Sequence, residues 1–376
     1  MGVKEKKVEL IELFYDLIYV YAISRMTLLL EEPEGGVFTP YMFLVYIASS
    51  MAILQAWLYM TNYVNHYATW RWYEYLLVAV NMVGAIYMSQ TITGDWSEVS
   101  TVFLVSMISM ISCVAILYVI QIRVGRQDDR SARTSLGVVA VVISVYAAAL
   151  LISLSDFSRY SVFASMVAVF LGIILPFVAP TTYDTRNVSF PHLVERFEFL
   201  TIITFGEAIV GMTGLFDPTA FTVAPILVFA NMLLLFGCYV VQVHYMCNHH
   251  QVSRGRGLMF MHYFIVISID LMTVAILYFE STEADHTFTA MLMVASNILF
   301  FLALFSLEMY NRFEFPASWT DLVLSLVPVA VGVSVIFAFI ISPYGFLLGS
   351  IVMSAGNFLI LLRKHNSNRC VNVIHT

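Results

Sequence analysis

Glu207 is the most informative ionisable residue of the chain. It lies in an apolar stretch long enough to cross a bilayer, nine residues past Glu198 and so about 13 Å deeper on a helix rising about 1.5 Å per residue. Gly206 precedes it and Gly211 and Gly214 follow, small residues that admit a neighbouring helix or a bound ion. A carboxylate in that setting either takes up a proton or cation, or is permanently paired. Asp16 poses the same choice. With Glu9 and Glu12 it forms an acidic stripe within about 60° of helix azimuth, and it sits about 10 Å further in than Glu9. An aspartate at mid-membrane costs about 2.5–3.5 kcal/mol on an insertion scale, so Asp16 must face protein or water. Glu9, close to the boundary, is explained by its own helix N-terminus.

Other ionisable and polar residues fall into four groups. Glu195, Arg196 and Glu198 follow the Pro191-His192 helix opening near one edge of their span. Arg25 either pairs with Glu207, lowering the proton affinity of that carboxylate, or extends its head toward the nearby surface. Asp270, its counterpart Asn81, Glu308 and Arg196 make a secondary polar path, or hold helices together through hydrogen bonds. His244, Cys247, His249 and His250 crowd one helix end. The spacing of His244 and Cys247 makes them weak metal-ligand candidates, and no metal or cofactor is implied. No phosphate loop, GxSxG elbow or HExxH helix is present.

The elements that must position these residues follow from composition. With 60% hydrophobic and 11% charged residues, the chain is far below the roughly one-quarter charged of a soluble domain. Lipid must be its solvent. Apolar runs of about 20 residues recur, as helices crossing a core of about 30 Å require, at about 8–30, 40–63, 72–93, 99–122, 134–154, 159–178, 191–214, 219–246, 257–280, 287–310, 319–341 and 344–363. The fold class is thus an all-α polytopic membrane protein of about twelve spans, in the cell membrane. Polar loops such as EEPEGG at 31–36 and TGDWSE at 93–98 separate the spans. Trp57, Trp70, Trp72, Trp96 and Trp319 are expected mostly near the interfaces.

Orientation follows from lysine and arginine, which short cytoplasmic loops retain. With the N-terminus inside, Lys4, Lys6, Lys7, Arg71, Arg123, Arg126, Arg130, Arg133, Arg186, Arg196, Arg254, Arg256, Arg312, Arg363, Lys364 and Arg369 fall on the cytoplasmic side. Only Arg159 falls outside, and Arg25 lies within a span. Glu31, Glu32, Glu34, Asp95, Glu98, Asp217, Glu280, Glu283 and Asp285 fill the outer loops. Both termini are therefore expected in the cytoplasm. Cys113, Cys238, Cys247 and Cys370 occupy no outer loop, so no disulfide framework is expected. The net charge of −7 suggests no nucleic-acid partner.

The acidic opening recurs. ELIELFYDLIYVYAI at 9–23 and ERFEFLTIITFGEAI at 195–209 align at a shift of 186, matching Glu9 with Glu195, Glu12 with Glu198 and Tyr21 with Glu207. Six spans separate the copies, so both enter the membrane in one direction. The chain reads as two parallel six-helix repeats, 1–186 and 187–376, an architecture in which a substrate path runs between halves. If the leading helices meet at the axis, Arg25 reaches Glu207.

With ELIELFYDLIYVYAI and HLVERFEFLTIITFGEAIVG in view, the chain resembles the bacterial low temperature requirement A family, whose patterns run close to ELFFDLVFVFAI and ERFGLFTIIVLGEAIVG. The resemblance marks Glu12, Leu13, Phe14, Asp16, Glu195, Arg196, Phe197, Gly206, Glu207 and Ala208. Tyr15, Glu198 and Arg25 depart from it, replacing a phenylalanine, a common glycine and a neutral residue. It implies a requirement for growth in the cold and brings no substrate or reaction with it. The expected function is a secondary transporter for a small solute, coupled to a cation, most simply a proton, through Glu207, Asp16, Glu12, Glu195 and Arg25. The alternatives are an ion channel lined by the first and seventh helices, and a membrane enzyme acting on a lipid with the carboxylates as acid and base.

Overall fold

Apolar runs bounded by capping residues form twelve α-helices among the described residues: α1 Leu10–Glu31, α2 Pro40–Tyr67, α3 Trp72–Gln90, α4 Thr101–Val124, α5 Arg130–Ser153, α6 Ser161–Val178, α7 Phe190–Gly211, α8 Ala224–Tyr239, α9 Arg256–Glu280, α10 His286–Ser306, α11 Trp319–Ala338 and α12 Pro343–Val373. The computed structural model describes residues 5–31, 33–93, 99–124, 129–179, 185, 187–219 and 221–373. Lys4, Glu32, Asp95, Trp96, Glu98, Arg126 and Arg186, with the expected repeat boundary after 186, lie outside them, as do residues 94–98 of the TGDWSE loop. Among the described residues, eleven helical spans are long and apolar enough to cross a membrane. α3 is the twelfth, long enough at 19 residues but diluted by Glu74, Asn81 and Gln90.

Side chains fix where helices begin. Thr39 accepts the Met42 N–H (3.2 Å) ahead of Pro40, and Asp129 and Asp285 accept the N–H groups of Ala132 (3.1 Å) and Phe288 (2.7 Å). Each satisfies a donor that the first helical turn leaves without an internal partner. α8 runs on as a π-helical stretch over Val240–Met246, and α10 ends in a 3₁₀ turn over Leu307–Tyr310.

The chain divides into two units: Met1–Leu30 with Thr39–Arg196 and His250–Arg256, and Glu31–Phe38 with Phe197–His249 and Gly257–Thr376. In the first, α3, α4, α5 and α6 pack in succession and α2 lies against α4 and α6. Gly172 of α6 makes the last contact possible: Tyr59 donates to its carbonyl (2.8 Å), and a Cβ there would fall 1.4 Å from Gln55 Nε2. In the second unit α12 packs on α8, α10 and α11. A Cβ on Gly332 would lie 2.5 Å from the Gly349 carbonyl oxygen, and one on Gly356 would lie 2.3 Å from Pro328 Cβ. Small residues thus set the α11–α12 spacing, as in many membrane helix pairs. Lys364 of α12 bridges Glu308 (2.7 Å) and Asp321 (3.0 Å), fastening the C-terminal end of α10 and the first turn of α11 to α12.

Candidate functional site

A buried ionic cluster lies wholly within the first unit, and three helices build it with one spacing. α1 supplies Glu12 and Asp16, α2 supplies Trp57, Thr61 and Asn65, and the start of α7 supplies His192 and Arg196. Steps of four residues return a side chain to nearly the same helix face. Each helix therefore turns one polar stripe toward the other two. All seven side chains are buried, none more than 1% exposed.

Arg196 is the hub. Its Nη1 donates to Glu12 Oε2 (2.6 Å), while Nε and Nη2 form a two-pronged pair with Asp16 at 3.0 and 2.6 Å. Nη2 also reaches Thr61 Oγ1 (3.3 Å). Trp57 Nε1 donates to Asp16 Oδ1 (2.7 Å), and the indole ring lies 5.4 Å from the guanidinium carbon, close enough for a cation–π contact. Planar, two-pronged pairing with a carboxylate is the geometry that distinguishes arginine from lysine. Glu12 also accepts from the Glu9 N–H (3.3 Å), the side-chain half of a capping box on α1. His192 Nε2 stands 2.9 Å from Glu12 Oε2, at ion-pair distance but off the line of a hydrogen bond. Asn65 closes the cluster. It donates to the Ser189 carbonyl (2.7 Å), accepts the Ser189 N–H (3.0 Å) and places Nδ2 3.1 Å from His192 Nδ1.

Next to Asp16 on α1, Tyr15 donates to Asn81 Oδ1 (3.0 Å), and Asn81 donates to the Met110 carbonyl (2.9 Å). Asn81 therefore ties α1 and α3 to α4. Arg25 and Glu195, also in the first unit, are half-buried. Arg25 Nε is buried and has no hydrogen-bond partner among the described residues.

Glu207 belongs to the second unit and is half-buried. Its flanking glycines differ from expectation. A Cβ on Gly206 or Gly214 would meet nothing within 4 Å among the described residues, and one on Gly211 would meet only Thr273 Cγ2 at 3.8 Å. Among the described residues no helix is packed tightly against them. Asp270 is buried on α9. Glu308 is held by Lys364. Glu198 pairs with His244 (3.1 Å) and stands 4.0 Å from His249. Cys247 is buried just beyond the π-helical stretch. Burial pushes its thiol up to about 12, Glu198 adding to the effect and Arg312 opposing it. Among the described residues no three His, Cys, Asp or Glu side chains are grouped to hold a metal ion.

A family model for the bacterial low temperature requirement A protein (LtrA) matches residues 7–359, a span holding the whole cluster. The chain belongs to the LtrA family. No curated protein and no solved structure matches it. Its membership and its apolar helices make it a multi-pass protein of the cell membrane. In this LtrA protein, sequence reasoning put Arg196 on a secondary path, Trp57 among interface and packing residues and His192 in a helix opening, and it singled out neither Thr61 nor Asn65 for chemistry. The available signal was the four-residue spacing of Trp57, Thr61 and Asn65 in an otherwise apolar α2.

Proposed function

We propose that this LtrA protein is a secondary transporter coupled to a proton, with the Glu12–Asp16–His192–Arg196 cluster as its proton-binding site. The observation carrying this reading is the charge balance: two buried carboxylates face one guanidinium. Lys6, at the edge, directs its ammonium to the carbonyls of Val64 and Ala68 at the end of α2. A buried charge without a full counter-charge is costly by several kcal/mol, so the cluster has a standing demand for one more cation. A proton meets that demand without added volume. Protonating a carboxylate weakens one of the bonds by which Arg196 holds α1 to the start of α7. Proton binding thereby becomes a change in helix packing, the link between ion and solute that coupling needs.

Glu207, Glu195 and Arg25 belong to the same proposed pathway, with Asp270, Asn81 and Glu308 as its secondary polar residues. We also propose two parallel six-helix repeats with cytoplasmic termini and a requirement in the cold. The repeat is supported by matched packing inside the two units: α2 on α6, α4 on α5 and α5 on α6 in one, α8 on α12, α10 on α11 and α11 on α12 in the other.

The test uses proteoliposomes loaded with a pH-sensitive dye and challenged with amino acids, sugars and organic cations under an inward proton gradient. One solute class is expected to evoke proton entry in the wild type, and Asp16→Asn and Glu12→Gln are expected to lose it. Solute uptake unchanged by a protonophore would overturn proton coupling, and currents that do not saturate with concentration would mark a channel. Unaltered flux in Glu207→Gln would remove that residue from the pathway.

A further inference from the structure

The cluster has three candidate acceptors for the extra proton: Glu12, Asp16 and His192. Asn65 decides among them. Its amide is fixed at both ends by the Ser189 backbone, with the Ser189 N–H on Oδ1 at 3.0 Å and the Ser189 carbonyl on Nδ2 at 2.7 Å. Rotating the amide by half a turn would set donor against donor and acceptor against acceptor. The second hydrogen of Nδ2 is therefore committed toward His192 Nδ1 at 3.1 Å. That contact is attractive only if Nδ1 carries a lone pair. The 2.9 Å approach of Nε2 to Glu12 Oε2, though off the hydrogen-bond line, makes the complementary demand, since a bare ring nitrogen carries partial negative charge and would be repelled by the carboxylate oxygen. Both contacts select one imidazole form, neutral with its proton on Nε2.

The charged groups facing the ring agree. Glu12 of α1 is the anion, and against it stand Arg196, on α7 with the ring itself, and Lys6 of the N-terminal segment. His192 is the third residue of α7, where the helix end is itself partially positive and a second positive charge is unwelcome.

We propose that Asn65 is a positioning residue that locks His192 in the neutral Nε2–H form, so that the coupling proton binds a carboxylate of the cluster and not the imidazole. This rests on the proton-binding reading of the cluster, while the form of the ring can be measured without it.

The experiment uses the full-length protein in lipid nanodiscs. Nitrogen-15 NMR of histidine-labelled protein, with His192 assigned by comparison with His192→Gln, reports which ring nitrogens are protonated. Infrared difference spectra across a pH titration report carboxylic acid formation. In the wild type His192 is expected to show Nδ1 bare and Nε2 protonated throughout. The acid C=O band that grows as pH falls should diminish in Glu12→Gln or Asp16→Asn. Asn65→Asp offers an acceptor at Nδ1 and is expected to yield a ring protonated on both nitrogens. Asn65→Ala, which only removes the lock, should give mixed forms. An imidazolium or an Nδ1–H ring in the wild type overturns the proposal, as does a titration that appears in the His192 signal with no acid band. If the ring and the band behave as expected but no solute moves protons, the transport reading fails and the Asn65 lock stands.

Discussion

Arg196 holds more of the buried charge together than any other residue, and its removal should be felt beyond lost contacts. Two carboxylates buried to 1% and 0% exposure would be left without the guanidinium that both of them bind. Removing one partner of a buried pair costs about 3–5 kcal/mol. Arg196→Leu is therefore expected to destabilise the protein by about that much in a detergent-unfolding titration, and Arg196→Leu with Asp16→Asn by less than the single change. Arg196→Lys keeps the charge but cannot reproduce the two-pronged contact with Asp16, so its loss should lie between zero and that of leucine. A loss in Arg196→Lys equal to that in Arg196→Leu would show that geometry counts for everything and charge for nothing. Cys247 gives a prediction in pH. Its thiol titrates near 9 in the unfolded chain and near 12 in the folded one. The folded state therefore holds the proton longer, and this contribution to stability is intact below pH 9 and lost as pH rises toward 12. Cys247→Ala should lessen the alkaline loss of stability measured between those limits.

At the scale of the helix, the contrast between two glycines separates packing from open space. Gly172→Ala puts a methyl into Gln55, itself buried, and within 3.0 Å of Tyr59 Oη. Overpacking of this kind costs about 1–3 kcal/mol, and α6 should lose its hold on α2. Gly206→Ala meets nothing within 4 Å among the described residues and replaces a poor helix former by a good one, a gain of about 0.5–1 kcal/mol. Thermal unfolding of the two variants in one detergent checks both signs. Equal losses in the two would mean that space around the glycine is not the controlling quantity.

For the whole molecule, the testable property is sidedness. The charge map puts Ser253 in the cytoplasm and Asp217 outside. Cys113, Cys238 and Cys247 are free and buried, so they give a quiet background once Cys370 is replaced by serine. Asp217→Cys should react with a membrane-impermeant maleimide in intact cells, and Ser253→Cys only after permeabilisation. Reaction of Ser253→Cys in intact cells would reverse the orientation.

Helix positions were legible from the sequence because lipid acts on each span separately. An uncharged run of about 20 residues is sufficient reason for a helix, and α2, α9 and α11 begin within one residue of their expected starts. Glu12 and Asp16 of the acidic stripe were legible for the same local reason, whereas Glu9 precedes α1 and is exposed. The partner of Glu12 and Asp16 was not. Arg196 lies 184 residues from Glu12 and 180 from Asp16, and apolar periodicity records which face of a helix is buried without recording which other helix that face meets. Arg25 lies within one apolar span and Arg196 near the start of another, and a rule that sees one helix at a time has no ground for preferring either. Tertiary structure alone decides between them, because the energy of a buried ion depends on the distance to its counter-charge, and that distance exists only once α1, α2 and α7 have packed.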